Sequence, residues 1–166
     1  MTTTAATAVI DGISDSRLFF LLSGATLHLV GLTLTGAVGK VYGDAETYGA
    51  AVYIPPDGTA SFTSVTFMGN LAKGGGGGAV FNEGTISSIE ACNFTGNGAL
   101  YGGALSNSGT ITSINGCHFV ANYGMEAGAT GIDASGGALR NSGTISLVRN
   151  CTFLNNRGAY GGALHN

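Results

Sequence analysis

Apolar and polar residues alternate along much of the chain in short runs broken by Gly or Asn. Leu27, Leu29, Leu32 and Leu34 alternate with Thr26, His28, Thr33 and Thr35. The same period recurs in Thr110-Ile111-Thr112-Ser113-Ile114 and in Cys117-His118-Phe119-Val120. A period of two predicts strands with one buried face, whereas no stretch carries the spacing of an amphipathic helix. The apolar segment Leu18 to Val38 therefore reads as strands, and no transmembrane segment is expected.

The runs belong to a repeat. Gly-Gly-Ala-(Val/Leu) begins at Gly77, Gly102, Gly136 and Gly161, with Gly49-Ala50-Ala51-Val52 as a degenerate first copy, at spacings of 28, 25, 34 and 25 residues. An Asn follows each full copy, at 82, 107, 141 and 166. Gly-Thr-Ile-(Ser/Thr) then begins at Gly84, Gly109 and Gly143, with Gly58-Thr59-Ala60-Ser61 as a looser version. Cys-x-Phe comes next, and Phe-x-x-Asn closes each unit. At about 3.3 Å per residue, a unit of about 25 residues wraps a path of about 80 Å, too long for a hairpin and suited to a three-sided coil. Stacked coils pair their strands in parallel, about 4.8 Å apart. The predicted fold is all-β: a parallel β-helix of about five to six coils with three short strands each. It is taken as right-handed, because the tight hexapeptide period of the left-handed form is absent. One domain spans 1–166, with opening coils over 1–48 and repeat coils over 49–166.

Stacking turns recurring residues into columns. Phe67, Phe94, Phe119 and Phe153 form a predicted interior ladder, as do Ile86, Ile111 and Ile145. Cys92, Cys117 and Cys151 are expected to be buried free thiols acting as small hydrophobes, with a disulfide between neighbouring coils as the alternative. Asn70, Asn97, Asn122 and Asn156 are expected to turn a corner, since Asn tolerates left-handed backbone and stacked amides bond to one another.

Composition agrees with this picture and narrows the chemistry. The chain has 30 glycines in 166 residues, more than twice the usual share of about 7%. Six basic and nine acidic residues leave a net charge of −3. The basic residues are scattered, so no nucleic-acid partner is expected. Three cysteines without a CxxC motif or a nearby His pair predict no zinc site, and no cofactor is expected.

Gly-Gly-Ala-(Val/Leu) alternating with Phe-x-x-Asn over Gly49 to Asn166 resembles the repeats of the chlamydial polymorphic outer membrane proteins. Upstream, Val9-Ile10-Asp11-Gly12, Arg17-Leu18-Phe19 and Gly24-Ala25-Thr26-Leu27 look like the opening coils of pectin-lyase-like right-handed β-helices. The resemblance implies an adhesin or autotransporter passenger that is extracellular or on the cell surface, associated with the outer membrane where a barrel follows. Its implied partners are a host-cell protein or a glycan. The N-terminal Met-Thr-Thr-Thr-Ala-Ala-Thr lacks the basic region of a secretion signal. The closing Gly-Gly-Ala-Leu-His-Asn reads as the first strand of a new coil. The chain is accordingly expected to be a segment of a longer solenoid, or to associate end to end.

No enzymatic chemistry is expected. Glycoside hydrolysis needs two carboxylates flanking the bond, and the nine acidic residues are thinly spread. Asp57 and Glu83, which precede equivalent glycines, are read as a solvated pair, and the three histidines form no column. A pectate-lyase-like enzyme remains one alternative. An ice-binding solenoid is another, on the hydroxyl array Thr59-x-Ser61, Thr85-x-Ser87, Thr110-x-Thr112 and Thr144-x-Ser146. Ligand contacts are expected at the corner where coil length varies, which carries Tyr42, Asp44, Glu46, Tyr48, Tyr123, Glu126 and Asp133. Tyr48, Tyr101 and Tyr160 immediately precede the glycine of three units, as a broken column. They either contact a glycan or host protein or cover the turn glycines.

Overall fold

The structure is a computed structural model describing residues 8–14, 16–39, 48–124 and 135–166. Every strand pairing in it is parallel and joins one coil to the next. Three long sheets form the walls. The Phe sheet runs Ala8–Asp11, Leu32–Thr35, Thr66–Met68, Asn93–Thr95, His118–Val120, Thr152–Leu154. The Gly-Gly sheet runs Phe19–Phe20, Val52–Ile54, Val80–Asn82, Leu105–Asn107, Leu139–Asn141, Leu164–His165. The third wall stacks Thr26–Val30, Thr59–Thr63 and Thr85–Glu90 on the split strands Thr110–Ile111 with Ile114–Asn115 and Thr144–Ile145 with Val148–Arg149. A short fourth sheet, absent from the three-strand expectation, holds Val38–Gly39, Leu71–Gly76, Gly98–Tyr101 and Tyr123–Gly124 at the corner leading into the Gly-Gly sheet.

In-register stacking places like residues on like. Phe67, Phe94, Phe119 and Phe153 stack face to face inside, with centroids 4.7, 4.7 and 4.8 Å apart. Ile86 pairs with Ile111 and Ile111 with Ile145. Phe62 closes the core edge-on against Phe67, at 5.4 Å and 87°. A single apolar cluster from Leu21 to Leu139 fills the bore.

Two amide ladders run along the corners. Asn70, Asn97 and Asn122 are fully buried. Each Nδ2 donates to the carbonyl of the preceding coil's Phe-position residue and to Oδ1 of the next Asn, ending at Asn156. The left-handed backbone expected at these Asn residues falls one residue earlier, on Gly69, Gly96, Ala121 and Asn155, with φ of 63, 63, 53 and 55°. The amide must point into the corner to reach its partners, so the neighbour takes the reversal. The second ladder joins Asn82, Asn107, Asn141 and Asn166, with Nδ2 to Oδ1 distances of 2.7 Å at each step.

The paired glycines have distinct roles. Gly77 and Gly102 have φ of 67 and 61°, a region that favours glycine. Their followers are excluded by space instead: a Cβ on Gly78 would lie 2.1 Å from Gly103 O, and one on Gly103 2.2 Å from Gly137 O.

The three cysteines are free, with Cys92 and Cys117 buried and Cys151 half-buried. Each thiol donates to the carbonyl two residues back: Glu90 at 3.2 Å, Asn115 at 3.4 Å and Arg149 at 3.1 Å. These bonds span the left-handed corner at Ala91, Gly116 and Asn150. The neighbouring Cys92 thiol, and then burial, push the Cys117 thiol well up. The Cys117 thiol in turn holds Cys92 below the usual thiol value, while burial raises Cys151.

Candidate functional site

Side chains alternate across a strand, so the Gly-Gly sheet that buries Val52, Val80 and Leu105 must turn their neighbours outward. The outward column, in register, is Phe20, Tyr53, Phe81, Ser106, Arg140 and His165. Its first three members form an aromatic ladder. The Phe20 and Tyr53 rings lie 5.0 Å apart at 9°, and Tyr53 and Phe81 6.0 Å apart at 5°.

The fourth sheet brings a second column against the first. Tyr101 is in register with Gly76 on one side and Ser135 on the other, and Ser135 bridges Tyr160. Tyr48 precedes Gly49, whose N–H bonds to Gly76 O, and so opens this column. Five residues separate the members of the two columns in every coil: Tyr48/Tyr53, Gly76/Phe81, Tyr101/Ser106, Ser135/Arg140 and Tyr160/His165. Tyr48 packs on Phe81 at 4.4 Å, the Arg140 guanidinium lies 5.1 Å from the centre of the Tyr101 ring, and Tyr160 tilts against His165 at 6.2 Å.

Tyr48, Tyr101 and Tyr160 thus share one column that is broken at two positions. Gly76 and Ser135 interrupt them, and each ring meets the outward column of the Gly-Gly sheet rather than another tyrosine. Tyr160 is 54% exposed, whereas Tyr48 and Tyr101 are half-buried. Tyr123 stands elsewhere, in register with Gly98, and a Cβ on Gly98 would come within 2.4 Å of Tyr123 Cζ. Its ring thus occupies the space left by that glycine. Tyr42, Asp44, Glu46, Glu126 and Asp133 lie outside the described residues.

Sequence reasoning missed Phe20, Tyr53, Phe81 and Arg17. The signal was available, because Tyr53 and Phe81 each follow the Val of the Gly-Gly motif and the five-residue spacing to the tyrosine column is constant. Arg17 donates from Nε to Gly49 O at 3.0 Å and from Nη2 to Tyr48 O at 2.6 Å. Its guanidinium carbon lies 5.3 Å from the Phe20 centroid and 5.5 Å from that of Tyr53. Desolvation by burial lowers its pKa, and no carboxylate among the described residues pairs with it.

Glu83 accepts a hydrogen bond from the Tyr53 hydroxyl. Burial, with that bond second, pushes the phenol up to about 12, so Tyr53 remains a donor throughout the ordinary range. Asp57 instead accepts from Ser23 Oγ, which with backbone donors holds its carboxyl below the usual value. The two carboxylates expected to form a pair thus have separate hydroxyl partners. Ser106 Oγ is buried without a hydrogen-bond partner, 3.0 Å from where a Cβ on Gly76 would stand.

On the third wall, Thr26, Thr59, Thr85, Thr110 and Thr144 align in one column. The second hydroxyl column breaks, because the register shifts between Ile86 and Ser88 and Ser61 pairs with Ser88 rather than Ser87. One extra residue in Thr85–Glu90 forces that bulge. Ser61 bonds to His28 at 2.6 Å. Among the described residues there is no group of three His, Cys, Asp or Glu side chains able to hold a metal ion, and no helix is long and apolar enough to cross a membrane.

Residues 50–164 match the family described as right handed beta helix region. No curated protein and no solved structure matches the chain.

Proposed function

The chain belongs to the right-handed β-helix family, and we propose that it is a non-enzymatic solenoid segment whose outward Gly-Gly face binds a partner molecule. The reading places it in a surface-exposed or secreted protein, as an adhesin or a stretch of autotransporter passenger, with a host protein or a glycan as ligand. The observation that carries it is the outer aromatic ladder, in which Phe20 is exposed, Tyr53 half-buried and Phe81 buried beneath Tyr48 of the tyrosine corner. The Phe, Ile and both Asn ladders are occupied in holding coil to coil, whereas this outer ladder is not needed to fill the bore. Exposed aromatic rings with a polar rim favour recognition.

Binding of the labelled full chain to cultured epithelial cells and to a glycan array tests the reading, with Phe20→Ala, Tyr101→Ala and Tyr160→Ala compared. The expected result is saturable binding that falls in at least Phe20→Ala, with unchanged circular dichroism. Unsaturated or reducing-end product released from polygalacturonate by the wild type would overturn the non-enzymatic part. Equal binding by all variants would overturn the site.

The threonine column favours a second reading, an ice-binding face, which needs a flat regular array. The bulge at Ser87 confines the regularity to one column, so no thermal hysteresis is expected.

A further inference from the structure

The outward face of the Gly-Gly sheet carries more than the aromatic ladder. Leu22 is 70% exposed and Phe20 58%. Leu22 lies two residues past Phe20, and the Leu21 N–H still bonds to Tyr53 O; Leu22 and Pro55 then open equivalent turns in adjacent coils, closed by Ala25 N–H to Leu22 O and Gly58 N–H to Pro55 O. Pro55 and Tyr53 are both half-buried. Arg17 stands at the edge of this apolar patch, and Glu83 is held to Tyr53 within it.

Two features of the patch select its ligand. First, the Phe20, Tyr53 and Phe81 rings cover one another's faces at 5.0 and 6.0 Å, so no sugar ring fits between them. With Phe81 buried, what the ladder offers is the exposed Phe20 ring and the edge of half-buried Tyr53, near Leu22 and Pro55, and these suit apolar side chains. Second, Arg17 is a partly desolvated cation that meets two carbonyls and two aromatic rings but no carboxylate of the described residues. Of its five N–H donors, those two carbonyl bonds occupy two. A desolvated guanidinium with free donors favours a bidentate carboxylate.

We infer that this patch docks a polypeptide segment in which an Asp or Glu stands beside aliphatic or aromatic side chains. The carboxylate bonds to Arg17, and the apolar side chains lie over Phe20, Leu22, Tyr53 and Pro55. The inference rests on the binding reading above and deepens it by choosing protein over glycan.

The test probes the labelled full chain against a dense array of 12-residue peptides and, in parallel, a glycan array. Wild type is compared with Arg17→Gln, Arg17→Lys and Phe20→Ala. The expected result is enrichment of peptides pairing an acidic residue with Leu, Ile or Phe, and an affinity for the best of them that falls about tenfold or more in Arg17→Gln. The exposed Phe20→Ala change provides an independent loss should Arg17→Gln disturb the Tyr48–Gly49 turn. Retention of the same peptides at the same affinity by folded Arg17→Gln and Phe20→Ala overturns the inference. Binding confined to glycans overturns it while leaving the binding reading intact, and binding to neither array overturns both.

Discussion

Oδ1 of Asn122 accepts two hydrogen bonds from Asn97 one coil away, from the backbone N–H and from Nδ2, each at 3.0 Å. Asn122 Nδ2 in turn donates to Phe94 O at 2.9 Å. One buried side chain thus satisfies three groups that water cannot reach. Asn122→Ala removes all three bonds, leaving the buried Asn97 N–H without its partner while Asn97 Nδ2 keeps Phe67 O, and is expected to cost about 2–4 kcal/mol, read as a lower urea midpoint. The half-buried end of the ladder, Asn156→Ala, is expected to cost less. Equal, small losses in both would overturn this account of the ladder.

Glycine substitutions separate space from backbone conformation. Gly103→Ala brings a Cβ against Gly137 O at 2.2 Å and Tyr123 O at 2.5 Å, so a loss on the order of 3 kcal/mol or more is expected. At the Asn corner, Gly69 has φ of 63° with nothing within 4 Å, and Gly69→Ala is expected to cost only about 1 kcal/mol. The reverse change at the equivalent place in another coil, Ala121→Gly, relieves a φ of 53° and is expected to stabilise by about 0.5–1 kcal/mol. Thermal melts of the three variants check the ordering.

Thiol accessibility follows burial. Native alkylation read by mass spectrometry is expected to label Cys151 first, because Cys92 and Cys117 are buried and Cys151 is half-buried. Cys92 and Cys117 are expected to react only as the coils open, at a rate that tracks unfolding. Labelling of all three at one fast rate contradicts the column.

Alkaline pH tests the Tyr53–Glu83 contact. The Tyr53 phenol is raised from 10.0 to about 12 in the folded protein. The folded state therefore holds the proton more tightly than the unfolded state, and the contribution is complete below pH 10. It is lost as pH rises from 10 through about 12. Solvent screening of this half-exposed group limits the effect to about 1 kcal/mol or less. Urea titrations at pH 9 and pH 11.5 are expected to show a smaller alkaline loss in Tyr53→Phe than in wild type.

The interior was legible because a repeat writes each column several times. Phe94, Ile111 and Cys117 each recur at the same offset from a Gly-Thr-Ile or Gly-Gly motif, and stacking then leaves each column one place to go. The Asn82 ladder was visible as a recurring letter but not as a hydrogen-bonded chain, since spacing does not say which way an amide points. The outer face was harder to read. Phe20, Tyr53, Phe81, Ser106, Arg140 and His165 share one column without sharing a residue type, so no repeated letter marks it. The hydroxyl array was misread at Ser87 because one inserted residue shifts the register, and in a strand a shift of one exchanges the faces.

What the amino-acid sequence alone determined is the architecture: a recurring unit of about 25 residues, stacked in parallel with its Phe, Ile and Asn columns inside. Periodicity suffices for this, because equivalent residues in a solenoid must face the same way and bury against their own copies. Only the tertiary structure decided which outward residues meet. The short fourth sheet folds the Tyr48–Tyr101–Tyr160 corner against the Gly-Gly sheet. That contact joins residues of different coils, so Tyr48 meets Phe81, Tyr101 meets Arg140 and Arg17 reaches Tyr48. Each of these depends on how far the chain bends at a corner, a property of packing in three dimensions rather than of spacing along the chain.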